Sequence, residues 1–149
     1  MRSRRTIIVF SVVSAAFMLG AFRSSVAGQE AVLTEADYAA AMEEMNYLRG
    51  DAEGHIESKY WGDVRNDMVA LRSLLEQVQK FWMAREIDSA VDFTEQALAA
   101  SAALMSASDA EDGERADQAF GDLRSTCQAC HEEFRERTED GGYRIKPGD

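Results

Sequence analysis

Cys127-Gln128-Ala129-Cys130-His131 puts two thiols and an imidazole within five residues, and these are the only cysteines of the chain. On a helix, positions i, i+3 and i+4 share one face, so all three groups would converge on a single object. Three chemistries use such a set. In covalent haem attachment each thiol adds to a vinyl group of the porphyrin and the adjacent histidine gives a nitrogen to the iron, which accounts for both cysteines, their spacing and the histidine. A zinc site needs a fourth ligand when His55 is the only other histidine, and such sites usually hold loops rather than the middle of a helix. A dithiol redox pair normally follows a strand and opens a helix, where the N-terminus lowers the thiol pKa, and no strand pattern precedes Cys127. The expectation is therefore one covalent haem c, anchored at Cys127 and Cys130, with His131 as the proximal iron ligand. A haem-free zinc-binding helical module is the distant alternative.

The elements that must position this motif read as helices. No proline occurs between Gly28 and Lys146, and only ten of the residues from Thr34 to Thr138 are β-branched, while Ala, Glu, Leu, Met and Arg abound. A first helix can start at Thr34, whose Thr-Glu-Ala-Asp resembles a capping box, with Tyr38, Met42, Met45 and Leu48 on one face until Gly50 and Gly54 weaken it. A second starts near Asp63 and aligns Val64, Met68, Leu71, Leu75, Val78 and Trp82, the clearest amphipathic stripe in the chain. A third runs from about Asp88 to Met105 with Val91, Thr94, Leu98 and Met105 along a face, and the acidic 106–113 segment reads as a loop. A fourth begins near Glu114 and lines up Ala116, Phe120, Leu123, Cys127, His131 and Phe134. Short connections between four helices favour an all-α, antiparallel four-helix bundle. The tail from Thr138 to Asp149, with two adjacent glycines and Pro147, is expected to be irregular.

Length and charge narrow the function. A chain of 149 residues makes one compact domain, and 46% hydrophobic with 29% charged residues excludes disorder and multiple membrane spans. Arg2, Arg4 and Arg5 precede an uncharged apolar stretch from Thr6 to Phe22, and Ser25 and Ala27 supply small residues before Gly28, the plan of a cleaved signal peptide over residues 1–27. An uncleaved anchor is the alternative. Cleavage removes four arginines and no acid, taking the formal charge from −11 to −15 for residues 28–149. Such a field repels phosphates, so no nucleic-acid partner is expected, and it attracts proteins with a basic docking face.

The string Thr126-Cys-Gln-Ala-Cys-His-Glu-Glu-Phe-Arg135, followed by Tyr143-Arg-Ile-Lys-Pro-Gly148, resembles the cytochrome c′ and cytochrome c-556 group, with weaker similarity at Gln77-Val-Gln-Lys-Phe-Trp82 and Ala97-Leu-Ala-Ala100. The resemblance covers roughly residues 34 to 146. It implies a monohaem c-type cytochrome built as a four-helix bundle, located in a bacterial periplasm, transferring electrons between redox partners and able to form a homodimer. Such a protein would not be an enzyme and would have no stable membrane insertion after cleavage.

The side chain opposite His131 decides between electron transfer and gas binding. Met42 and Met45 both fall on the apolar face of the first helix, and periodicity does not choose between them; either could equally be core packing. The resemblance implies an iron-binding methionine in the first helix, and the similar position here is Met42, with Met45 as the alternative. A five-coordinate iron that takes carbon monoxide or nitric oxide is the competing expectation. His55 reads as an exposed helix-end histidine. Phe134 is expected to pack on the haem or core, and Trp61 and Trp82 in the core. The resemblance places Arg135 beside the proximal imidazole. Gly121, costly inside a helix, suggests a close approach.

Overall fold

The computed structural model describes residues 32–147; the segment 1–27, read above as a signal peptide, lies outside them. Four helices follow one another: α1 (Glu35–Ser58), α2 (Trp61–Met83), α3 (Asp88–Asp109) and α4 (Gly113–Phe134). Connections of a few residues turn each helix back along its predecessor, and α1 packs on α2, α2 on α3 and α3 on α4, while α1 and α4 meet sparsely. This is the expected antiparallel bundle.

Local signals explain the boundaries. Thr34 caps α1: its hydroxyl accepts from the Asp37 amide at 3.2 Å while the Asp37 carboxylate accepts from the Thr34 amide at 3.2 Å. Gly50 and Gly54 do not end the helix. Each costs about 1 kcal/mol relative to alanine, but Ala52 and Ile56 bury their side chains against the core and carry α1 on to Ser58. Lys59, at φ 57°, then reverses the chain. Asp112 caps α4 by accepting from the Arg115 amide at 3.2 Å.

The α2 stripe is buried as its spacing indicates, with Phe81 added to it. On α3 the buried face differs from the expected one: Ala90, Thr94, Ala97, Ser101, Leu104 and Ser108 point inward, while Val91, Leu98 and Met105 lie at its edge. Small residues let α2 and α3 approach closely, and Arg72 reaches across from α2 to donate to the Leu98 carbonyl at 2.7 Å. Helix α3 also continues to Asp109, so the first half of the acidic 106–113 segment is helical.

The tail is not irregular. Strand β1 (Arg135–Arg137) pairs antiparallel with β2 (Tyr143–Ile145), placing Arg135 opposite Ile145 and Arg137 opposite Tyr143. Gly141, at φ 86°, permits the turn. The Lys146 amide bonds the Phe134 carbonyl at 2.9 Å and its ammonium bonds the Glu132 carbonyl at 2.9 Å, which fastens the hairpin to the end of α4.

The core divides in two. One cluster gathers Ile56, Val64, Met68, Leu104, Phe120 and Leu123. The other, at the opposite end, gathers Tyr38, Val78, Phe81, Trp82 and Phe134. Between them α3 presents Thr94 and Ala97, too small to fill the space facing α4.

Candidate haem cleft

That space is a cleft lined by all four helices, with a cavity of about 90 Å³ between their side chains. Its apolar walls are Leu71, Leu75 and Val78 from α2 and Phe93 and Ala97 from α3. Met42 and Met45 enter from α1, and Cys127, Cys130 and His131 from α4. Beyond Met42 and His131 it widens toward the hairpin into a second compartment of about 640 Å³, bordered by Tyr38, Phe134, Arg135, Tyr143 and Ile145, within the roughly 300–1,000 Å³ of cofactor sites.

The α4 motif sits as helical spacing requires. Cys127, Cys130 and His131 are half-buried, on the face continued by the buried Leu123 and Phe134. The two sulfurs are unbonded thiols. Burial raises both, Cys130 to about 12, where the nearby Cys127 and Glu133 add to the rise and Arg135 opposes it. Burial likewise holds the His131 imidazole down to about 4, reinforced by the Arg135 charge. The donor set is therefore neutral at neutral pH: two thiols and an imidazole whose lone pair is free of a proton. Among the described residues, no group of three or more His, Cys, Asp or Glu side chains is arranged to hold a bare metal ion, which gives the zinc alternative no support.

Both methionines reach the cleft, but differently: Met42 borders both compartments and Met45 only the narrow one. Tyr38, one turn before Met42, is buried, stacked on Phe81 at 4.4 Å and edge-on to Trp82 at 5.6 Å. Burial raises its phenol, and the proximity of Cys130 raises it further. Trp82, fully enclosed, leaves its indole N–H without an acceptor among the described residues.

Other residues fall elsewhere. His55 ends α1 as expected but is not free: its Nδ1 lies 2.8 Å from Asp67 on α2, away from the cleft. Phe134 is in the core, touching Trp82 and Phe93. Trp82 is buried, and Trp61 packs at the core's edge, its ring 3.7 Å from where a Cβ on Gly113 would stand. Gly121 has no neighbour within 4 Å of where a Cβ would stand, so no close approach explains it. Arg135 lies where its charge acts on His131, Cys130 and Tyr38. Arg49, not anticipated from the sequence, lines the narrow compartment, and its charge acts on Cys127.

A bundle of four helices with an apolar cleft onto which Cys-x-x-Cys-His opens defines the class of c-type cytochromes of the bundle type. The family model of cytochrome c′ matches residues 29–135, and the chain belongs to that family, itself a type example of the up-down-up-down bundle. Membership makes it a cytochrome that binds haem c, of a family typically found in the periplasm. Among solved structures the fold is similar to cytochrome c′ from Thermochromatium tepidum, with a TM-score of 0.58 and 16% identity over 78% of this chain and 100% of that one. No curated protein sequence matches the chain significantly. Among the described residues no helix is long and apolar enough to cross a membrane.

Proposed function

We propose that the chain is a periplasmic monohaem electron carrier, its one haem c held by thioether bonds to Cys127 and Cys130 and its iron ligated by His131 and Met42. One observation carries this reading: the same cleft receives the thiols and imidazole of α4 and, from α1, the Met42 side chain at the junction of its two compartments. The bound group supplies an iron that takes up and releases one electron. The chain does the rest. Cys127 and Cys130 would hold the group, each thiol adding sulfur to one vinyl carbon and its hydrogen to the other, an addition that would need no oxidant. The neutral imidazole of His131 offers its lone pair throughout the physiological range. Met42 offers a soft, uncharged sulfur, which favours the ferrous state and a low-spin iron. No substrate bond changes, so the protein is a carrier rather than an enzyme, and its acidic surface suits partners with a basic face.

The family favours a second reading, since cytochromes c′ usually leave the iron five-coordinate, open to carbon monoxide or nitric oxide. Absorption spectra of the purified protein, ferric and ferrous, with and without carbon monoxide, separate the two. A low-spin ferrous spectrum and slow carbon monoxide uptake support electron transfer. A high-spin ferrous spectrum and immediate uptake would establish gas binding instead, and a chain without haem would refute both.

A further inference from the structure

The wide compartment carries charge that iron ligation does not use. Its charged lining groups are Glu35 and Glu43 of α1, Arg135 at the end of α4 and Arg144 of the hairpin. Three of these four are engaged. Arg85 holds Glu35 at 3.1 Å, the Tyr47 hydroxyl donates to Glu43 at 3.5 Å, and Arg144 Nε lies 2.6 Å from Glu136. Arg135 differs. Its guanidinium carbon lies over the Tyr143 ring, 4.0 Å from the centroid, and its side chain makes no hydrogen bond or ion pair among the described residues. Tyr143 is itself held, since Arg137 donates to its hydroxyl at 3.2 Å. The hairpin thus presents a positioned planar cation whose N–H donors have no acceptor.

The haem porphyrin carries its vinyl groups along one edge and two carboxylates along the opposite one. Of the other guanidiniums in the cleft, that of Arg144 is held by Glu136, and that of Arg49 stands at the Cys127 end, paired with Glu53 at 3.7 Å. It therefore faces the edge that the thiols anchor. The carboxylate edge must extend away from that anchor, and the compartment past His131 is where the cleft widens and an unpaired cation waits. On the haem reading given above, we propose that Arg135, laid on Tyr143 of the C-terminal hairpin, binds a carboxylate of the cofactor in the wide compartment. A guanidinium fork matches a carboxylate in two parallel hydrogen bonds, a geometry that a lysine does not reproduce.

The test is the pH dependence of the haem midpoint potential in the intact holoprotein. A carboxylate paired with Arg135 titrates low; in Arg135→Gln the proton-linked break in the profile should move up by about one pH unit, and Arg135→Lys should recover most of that shift. A superimposable Arg135→Gln profile overturns the proposal. So does a Lys variant that moves as far as Gln, which would mark disturbance of the hairpin rather than loss of charge. If Arg135→Gln does not accumulate, a crystal structure of the wild-type holoprotein decides: a carboxylate within hydrogen-bonding distance of Arg135 supports the assignment, and both carboxylates elsewhere overturn it. A protein with haem whose carboxylates lie elsewhere refutes this inference alone, whereas a protein with no haem refutes the haem reading too.

Discussion

Met42 of α1 and His131 of α4 border both compartments of one cleft, while Met45, one turn on, borders only the narrow one. Replacing Met42 with alanine should therefore open a coordination position: the ferrous protein becomes high-spin, binds carbon monoxide rapidly and has a lower potential. Met45→Ala should disturb packing and leave the spin state unchanged. Reduced spectra and flash-photolysis kinetics of the two variants check this, and the reverse pattern would transfer the ligand to Met45.

Covalent attachment has its own readout. The wild-type chain should keep its haem through denaturing electrophoresis and gain the mass of one haem, whereas Cys127→Ser with Cys130→Ser should release it. Haem retained by the double variant after denaturation would show that the thiols are not the anchors.

His55 joins the end of α1 to α2 through Asp67 at 2.8 Å. Its pKa is raised above 6.5, chiefly by that hydrogen bond. The folded chain holds the proton more tightly than the unfolded one, so the stabilisation is complete below the unfolded value and fades as pH rises through the raised one. Wild type should thus exceed His55→Gln in stability at pH 5, by at most about 1 kcal/mol for so accessible a pair, and the gap should close by pH 8. Urea denaturation at both pH values measures it, and a gap that widens toward alkaline pH would contradict the pairing.

The inward face of α3 can be probed with two leucines. Leu104 is fully buried, whereas Leu98 lies at the edge of the core. Leu104→Ala should cost about 2–5 kcal/mol and Leu98→Ala clearly less. Equal losses would return the helix to the orientation that periodicity suggested.

Acidic charge should show in kinetics. Electron exchange between the processed protein and a basic partner should slow as salt rises from about 10 to 150 mM, over which the Debye length falls from roughly 30 to 8 Å. Rates indifferent to ionic strength would leave the acidic surface with a role in solubility alone.

The parts legible in the sequence were those written in large side chains. Val64, Met68, Leu71, Leu75 and Val78 mark one face of α2 without ambiguity, and Cys127, Cys130 and His131 declare their chemistry by type and spacing. Helix α3 was misjudged because its buried face is built from Ala90, Ala97, Ser101 and Ser108, whose small side chains carry almost no hydropathic signal. The extent of α1 past two glycines depends on where Ala52 and Ile56 are buried, a tertiary fact. The hairpin was invisible for a related reason: Arg135 lies over Tyr143, and Lys146 reaches back to Glu132 and Phe134, across separations that no local pattern encodes. The setting of Arg135 followed from that hairpin and was hidden with it.

The sparse meeting of α1 and α4 has a mechanical consequence. The helix bearing Met42 rests mainly on α2, is joined to it by a two-residue turn at Lys59 and Tyr60, and touches the helix bearing His131 at few points. An ion pair between Glu53 and Arg124 at 3.0 Å ties the two near that turn. Toward the N-terminus of α1, where Met42 sits, the helix is held to the end of α2 and the turn after it: Tyr38 stacks on Phe81, and Glu35 pairs with Arg85 at 3.1 Å. Helix α1 is thus fastened to α2 at both ends, and Met42 and Met45 are carried into the cleft between these anchors while α4 stays seated against α3. The reach of Met42 across the cleft toward α4 would then be set as much by the seating of Tyr38 and Ile56 at the two anchors as by the methionine itself.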